Sequence, residues 1–365
     1  MLIGATRTER GRRKGSADGE DQPFLMWLDQ PSATTVSSAV PLLRVEGWVV
    51  SAADEPATVR ATLAGSPPVE VIADDPRDDV LPLIPQLLPH ARRADGFRFH
   101  VALPEPFEEP VCVELAVTDG TSVGTVEVRV VPGEDERPAR ADYKATWNAV
   151  AVDEDSAKLS VAGYTDEDVY TRMGNLTVST LESTVGIHPD DVILEIGAGV
   201  GRVGPSLAPR CRRWIATDVS GHMLAHARRR LAQHDNVDFV EISGWDLAPI
   251  ESESVDVVYC TVVFMHLDEW ERFRYVVEAM RVLRPGGRVY IDNFNLLSEP
   301  GWAFFMETLE RYHPLERPPN ISKSSTPEEL RRYLEQAGFV DIQGAAVPQD
   351  MWVVAWAAKP QPGQS

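Results

Sequence analysis

Gly197, Gly199 and Gly201 stand at alternate positions between two carboxylates, Glu195 just before them and Asp218 one helix length beyond. Residues of these types at this spacing suit one kind of chemistry, the binding of a nucleotide-like ligand. Glycines permit backbone torsions, and a close ligand approach, that a Cβ would forbid. A carboxylate such as Asp218 at a strand end accepts hydrogen bonds from both hydroxyls of a ribose. His266 follows in Phe264-Met-His-Leu267, and imidazole, which titrates near neutrality, suits a general base. A helix cap or a packing role competes with that assignment. Asp292, Asn293 and Asn295 offer further polar contacts for a substrate.

Particular elements must hold these groups. Val192, Ile193, Leu194 and Ile196 form the continuous apolar run of a strand buried on both faces. A glycine turn and a helix follow, and Ile215-Ala-Thr-Asp218 reads as the next strand. Gly199-x-Gly201-x-x-Gly204 also satisfies the dinucleotide fingerprint, so a nicotinamide-dependent oxidoreductase is one reading. Glu195 weighs against it, because a pyrophosphate at the helix N-terminus would be repelled by an adjacent carboxylate. A cofactor with a cationic methionine end meets no such repulsion.

Glu195-x-Gly197-x-Gly199-x-Gly201 resembles the first motif of the class I S-adenosylmethionine-dependent methyltransferases. The resemblance continues in order. It runs through Asp218-Val-Ser-Gly-His-Met-Leu224, Val237 to Leu247, Ser254 to Leu267 and Leu283-Arg-Pro-Gly-Gly-Arg-Val-Tyr-Ile291. It implies a Rossmann-like α/β domain over residues 143–360, with a mainly parallel seven-stranded sheet, helices on both faces and S-adenosyl-L-methionine as cofactor. It also implies cofactor contacts from Glu195, Gly197, Ala198, Gly199, Gly201, Arg202, Asp218, Val219, Met223 and Thr261. Where many relatives carry an aspartate against adenine this chain has Ser243, so Ser243, Gly244 and Trp245 are assigned that work. The helices over 143–187 are expected to lid the cofactor. Thr326-Pro-Glu-Glu329 carries a threonine cap, a first-turn proline and a capping-box glutamate, and Ala337-Gly338 ends that helix.

Ahead of this domain the hydrophobic period is two. Leu43 to Val50, Ala57 to Leu63, Phe97 to Val101, Val111 to Val117 and Val126 to Val130 read as strands. Ala94-Asp-Gly96 and Thr118-Asp-Gly120 read as turns between them. The expectation is an all-β, immunoglobulin-like sandwich over 23–132, after a disordered tail at 1–22 and before a charged, proline-punctuated linker at 133–142. The sandwich suits binding, homo-oligomer formation or simple stabilisation.

A net charge of −21 disfavours nucleic acid as partner, and no apolar run reaches membrane-spanning length. Cys112, Cys211 and Cys260 are spread too widely for a metal knuckle and fit a reducing, cytoplasmic setting, each as a small core residue. No metal is expected. The chain therefore reads as a methyltransferase of small-molecule biosynthesis, with a small-molecule acceptor. O-methylation of a sugar or glycosylated natural product is the leading expectation. N- or C-methylation, an oxidoreductase and a non-catalytic cofactor-binding module are the alternatives.

Overall fold

A computed structural model describes residues 1–4, 6–7, 24–83, 85, 88, 90–120, 122–133, 142–346 and 350–363. The chain divides into two compact units, Met1–Glu136 with His313–Glu316, and Arg137–Tyr312 with Arg317–Ser365.

The first unit is built of strands β1 (Leu2–Gly4), β2 (Thr6–Arg7), β3 (Phe24–Gln30), β4 (Thr35–Ser38), β5 (Leu42–Ser51) and β6 (Thr58–Leu63). It continues with β7 (Val69–Ile72), β8 (Asp75–Pro76), β9 (Arg93–Ala102), β10 (Val111–Thr118) and β11 (Ser122–Pro132). One sheet runs β1-β3-β5-β9-β8; the other runs β2-β11-β10-β6-β7, with β4 beside β11. Alternate side chains of both sheets, among them Met26, Val45, Phe99, Val59, Leu115 and Val128, share one core.

Three expectations are corrected here. Leu2–Gly4 and Thr6–Arg7 were assigned to a disordered tail, yet each pairs with a sheet, β1 with β3 and β2 with β11. Sheet edges offer unpaired backbone groups that an extended chain can satisfy whatever its composition. Residues 8–23, and most of the stretch read as a linker, lie outside the described residues. Ala94-Asp-Gly96 is not a turn but the start of β9, with Gly96 opposite Trp48 on one side and Asp75 on the other. Cys112 is exposed on β10 rather than in the core.

The second unit is the α/β domain. Helices α1 (Tyr143–Val150), α2 (Glu154–Ala162) and α3 (Glu167–Thr184) come first. Strands β12 (Val192–Ile196), β13 (Arg213–Asp218), β14 (Val237–Glu241), β15 (Val255–Cys260) and β16 (Leu283–Asn295) alternate with α4 (Gly204–Leu207), α5 (Gly221–Arg230) and α6 (Glu269–Val282). After α7 (Glu299–Arg311) come β17 (Ser324–Ser325), α8 (Pro327–Ala337), β18 (Val340–Ala346) and β19 (Trp352–Ala358). The sheet order is β14-β13-β12-β15-β16-β19-β18, with the two-residue β17 beside β16. β19 alone runs antiparallel to its neighbours β16 and β18. Side chains alternate between two cores, Leu194, Ile196 and Val258 on one face, Ile193, Trp214 and Tyr259 on the other.

Helix α8 has the expected cap, with the Glu329 N–H donating to Thr326 Oγ1 at 3.2 Å and Gly338 in the left-handed region. The helix after the glycine turn is shorter than its sequence slot. One turn of α4 gives way to a 3-10 turn at Ala208–Arg210, because Pro209 has no N–H to continue the ladder.

Candidate active site

β12 is an interior strand, between β13 and β15, and all five of its residues are buried. Glu195 therefore points its carboxyl into low dielectric, where Tyr259 Oη donates to its Oε2 at 2.7 Å. Burial pushes this carboxyl up to about 8, against the lowering effects of that hydrogen bond and the Arg202 charge. Beyond the strand the chain turns on Gly197, whose φ is +74° and whose Cβ, if it had one, would lie 2.3 Å from Val263 Cγ2. The turn is tied to the neighbouring strand end. The Gly199 N–H donates to Asp218 Oδ2 and the Ser220 N–H to Asp218 Oδ1, both at 2.8 Å. Burial raises the Asp218 carboxyl to about 6 despite these bonds.

A cavity opens at this strand edge. Glu195, Gly197, Ala198, Gly199, Arg202, Asp218, Val219, Gly244, Thr261 and His266 all line it. The other sequence-designated residues do not. Gly201 packs toward Leu231 and Ala227. Met223 is fully buried in a small core with Tyr170 and Val200. Ser243 is occupied with Asp246 through its Oγ at 2.8 Å, and Trp245 is 47% exposed.

The polar residues at the end of β16 also hold the protein rather than face the cavity. Asp292 Oδ1 accepts the Val262 N–H at 2.9 Å, Asn293 Nδ2 donates to Ser325 Oγ at 2.7 Å, and Asn295 Oδ1 accepts the Leu297 N–H at 3.0 Å. All three are buried, and their expected role as substrate contacts is corrected to an internal one. Strand-end position was legible; side-chain direction was not.

His266 sits in a 3-10 turn, Phe264–His266, that follows β15. Its Nδ1–H donates to the Asn320 carbonyl at 2.8 Å, which puts the neutral ring's lone pair on Nε2. Trp147 meets the imidazole edge-on, with ring centroids 4.8 Å apart. The turn is clamped by Arg272 of α6, 3% exposed, whose Nε donates to the Phe264 carbonyl at 2.8 Å. Arg272 Nη1 also reaches Ser325 Oγ and Glu329 Oε1, each at 3.0 Å. Sequence reasoning gave Arg272 no role, since it reads as one charge among several in a polar helix. It also named none of the residues that α1, α2 and α3 lower onto the cavity: Tyr143, Trp147, Val161 and Tyr170.

A family profile described as a methyltransferase domain matches residues 194–291, the stretch that builds this cavity from β12 to β16. The chain carries an S-adenosylmethionine-dependent methyltransferase domain. Over 200 residues the chain is 28% identical to a demethylmenaquinone methyltransferase of Clavibacter sepedonicus, covering 50% of this chain and 80% of that one. Over 150 residues it is 34% identical to a probable S-adenosylmethionine-dependent methyltransferase of Mycolicibacterium smegmatis, covering 40% of this chain and 51% of the relative. The match thus spans about half the length of that relative. Among solved structures, the S-adenosylmethionine-dependent methyltransferase SibL in its apo form aligns with a TM-score of 0.45 at 17% identity, over 59% of this chain and 62% of that one.

The cavity fits S-adenosylmethionine through its unsatisfied polar groups. Thr261 Oγ1 and Tyr170 Oη are buried, have no hydrogen-bond partner among the described residues, and belong to residues that line the cavity. Orphaned buried hydroxyls mark places where a ligand completes the hydrogen bonding. Among the described residues no helix is long and apolar enough to cross a membrane.

Proposed function

We propose that this protein transfers a methyl group from S-adenosylmethionine to an oxygen of a small molecule, with a sugar or glycosylated natural product as the acceptor class. The observation that carries this reading is His266 in the cavity wall, its tautomer set by the Asn320 carbonyl. A neutral hydroxyl is a poor nucleophile until a base takes its proton, whereas an amine needs only its lone pair. Sugar hydroxyls make that demand. His266 is the residue assigned to receive the proton.

When bound, the cofactor supplies an electrophilic methyl on a sulfonium. The chain's own residues position it and exclude water. Asp218 accepts from the ribose hydroxyls with lone pairs left over after Gly199 and Ser220. Val219 and Gly244 flank the adenine, and Arg202 offers its guanidinium to the carboxylate of the amino acid end. Tyr143, Trp147 and Val161 close the cavity from the helical side. The aromatic lining of Tyr143, Trp147, Tyr170 and Tyr275 favours a second reading, transfer to carbon or nitrogen of a flat ring.

Calorimetry with S-adenosylhomocysteine and with NADH tests the cofactor, and only the first is expected to bind. Labelled S-adenosylmethionine incubated with sugars and with ring-nitrogen and ring-carbon acceptors tests the class. Labelled methyl ethers are the expected product. His266→Ala is expected to lower their formation by about 10²–10⁴-fold with cofactor affinity nearly unchanged. Transfer only to ring atoms, indifferent to His266→Ala, sinks the oxygen reading.

A further inference from the structure

Val262 has a φ of +62°, and of the three non-glycine residues with positive φ among those described it alone is β-branched. A left-handed backbone crowds a branched Cβ, so such a residue persists only where its surroundings hold it. It lies in the loop Thr261–Val263, all three residues of which line the cavity.

We propose that Asp292 is a positioning residue that straps this loop into its left-handed turn and so shapes the floor of the cofactor cavity. The register shows why it can. β15 ends at Cys260, paired with Ile291 of β16, and Asp292 is the next residue along. Where the backbone ladder stops, the Asp292 side chain continues it by accepting the Val262 N–H at 2.9 Å. The carboxyl is 7% exposed, so water competes little for that bond. Two consequences reach the cavity. Val263 is pressed into the space left open by the missing side chain of Gly197, and the Thr261 hydroxyl is left without a protein partner. Asp292 thus acts through Val262 and is not among the residues that line the cavity.

The inference rests on the reading of this cavity as the S-adenosylmethionine site. It is tested by titrating S-adenosylhomocysteine into the full chain and into Asp292→Ala, Asp292→Asn, Val262→Gly and the Asp292→Ala/Val262→Gly double variant. Asp292→Ala is expected to weaken binding about tenfold or more, the scale of a buried N–H left without its acceptor. Asn keeps an acceptor oxygen, so Asp292→Asn should stay within about threefold of the parent. Glycine tolerates the left-handed turn unaided, so Asp292→Ala should cost no more than about threefold in the Val262→Gly background. Equal losses in both backgrounds overturn the strap. An independent check uses melting temperatures. Val262→Gly should melt higher than Val262→Ala, which keeps a Cβ at positive φ. The reverse order removes the strain and the inference with it, even if Asp292→Ala does not fold. No binding by the parent overturns the cofactor reading itself, an outcome separate from binding with additive losses.

Discussion

Asp218 carries two tasks, bracing the glycine turn and facing the cavity. Asp218→Ala is expected to lose about 1.5–3 kcal/mol of S-adenosylhomocysteine affinity. Asp218→Asn should recover only part of it, because one carboxylate oxygen becomes a donor facing an N–H. Calorimetry on both variants checks this, and unchanged affinity in both removes Asp218 from the site. Glu195 gives a different test. Its folded carboxyl, raised to about 8, holds a proton that the unfolded chain releases near 4.5. Between those values the folded state binds more protons, so this group lowers stability as pH rises. Urea melts should show Glu195→Gln gaining on the parent at pH 8 relative to pH 5; parallel losses at both values would contradict the raised pKa. At this scale the sequence was most legible where backbone shape decides. Gly197, Gly199 and Asp218 follow from residue type and spacing, whereas Gly201 packs inward. Met223 and Trp245 do not, because helix phase turns one into a core and loop path sends the other to solvent.

The elements owe their legibility to period. Five motifs fix five parallel strands, and a threonine cap with a terminal glycine fixes α8. Local signals failed where partners overruled them. Ala94-Asp-Gly96 has turn composition, but two neighbouring strands recruit it into β9. The 3-10 turn that bears His266 is likewise placed from outside, by Arg272 of α6 and by the Lys323 N–H, which donates to the Met265 carbonyl at 2.7 Å. A buried guanidinium with a carboxylate partner is costly to break from one side. Arg272→Ala is expected to destabilise the domain by about 3–5 kcal/mol, measured by urea unfolding. Arg272→Lys should recover little, since one ammonium cannot span the Phe264 carbonyl, Ser325 and Glu329 with a planar fork. A loss below about 1 kcal/mol for the alanine variant would show that the clamp is dispensable.

At the scale of the molecule, every residue lining the cavity falls between Tyr143 and Tyr275, within the second unit. A chain beginning at residue 142 is therefore expected to fold and to bind S-adenosylhomocysteine within about threefold of full length, checked by circular dichroism and calorimetry. Insolubility or lost binding would mean that the strand-built unit supplies part of the fold. The charge state of Glu195 has a consequence for turnover. Spent cofactor has given up its methyl and with it the positive charge on sulfur, while the unspent form keeps that charge. Below about pH 8 the protonated Glu195 cannot distinguish the two by charge, and above it the carboxylate favours the cation. Competition measured at pH 6.5 and 8.5 should show the by-product displaced more readily at the higher value. Product inhibition in this protein is then expected to follow the charge of Glu195 together with Asp292 and Asp218, whose buried carboxyls are raised to about 7 and about 6.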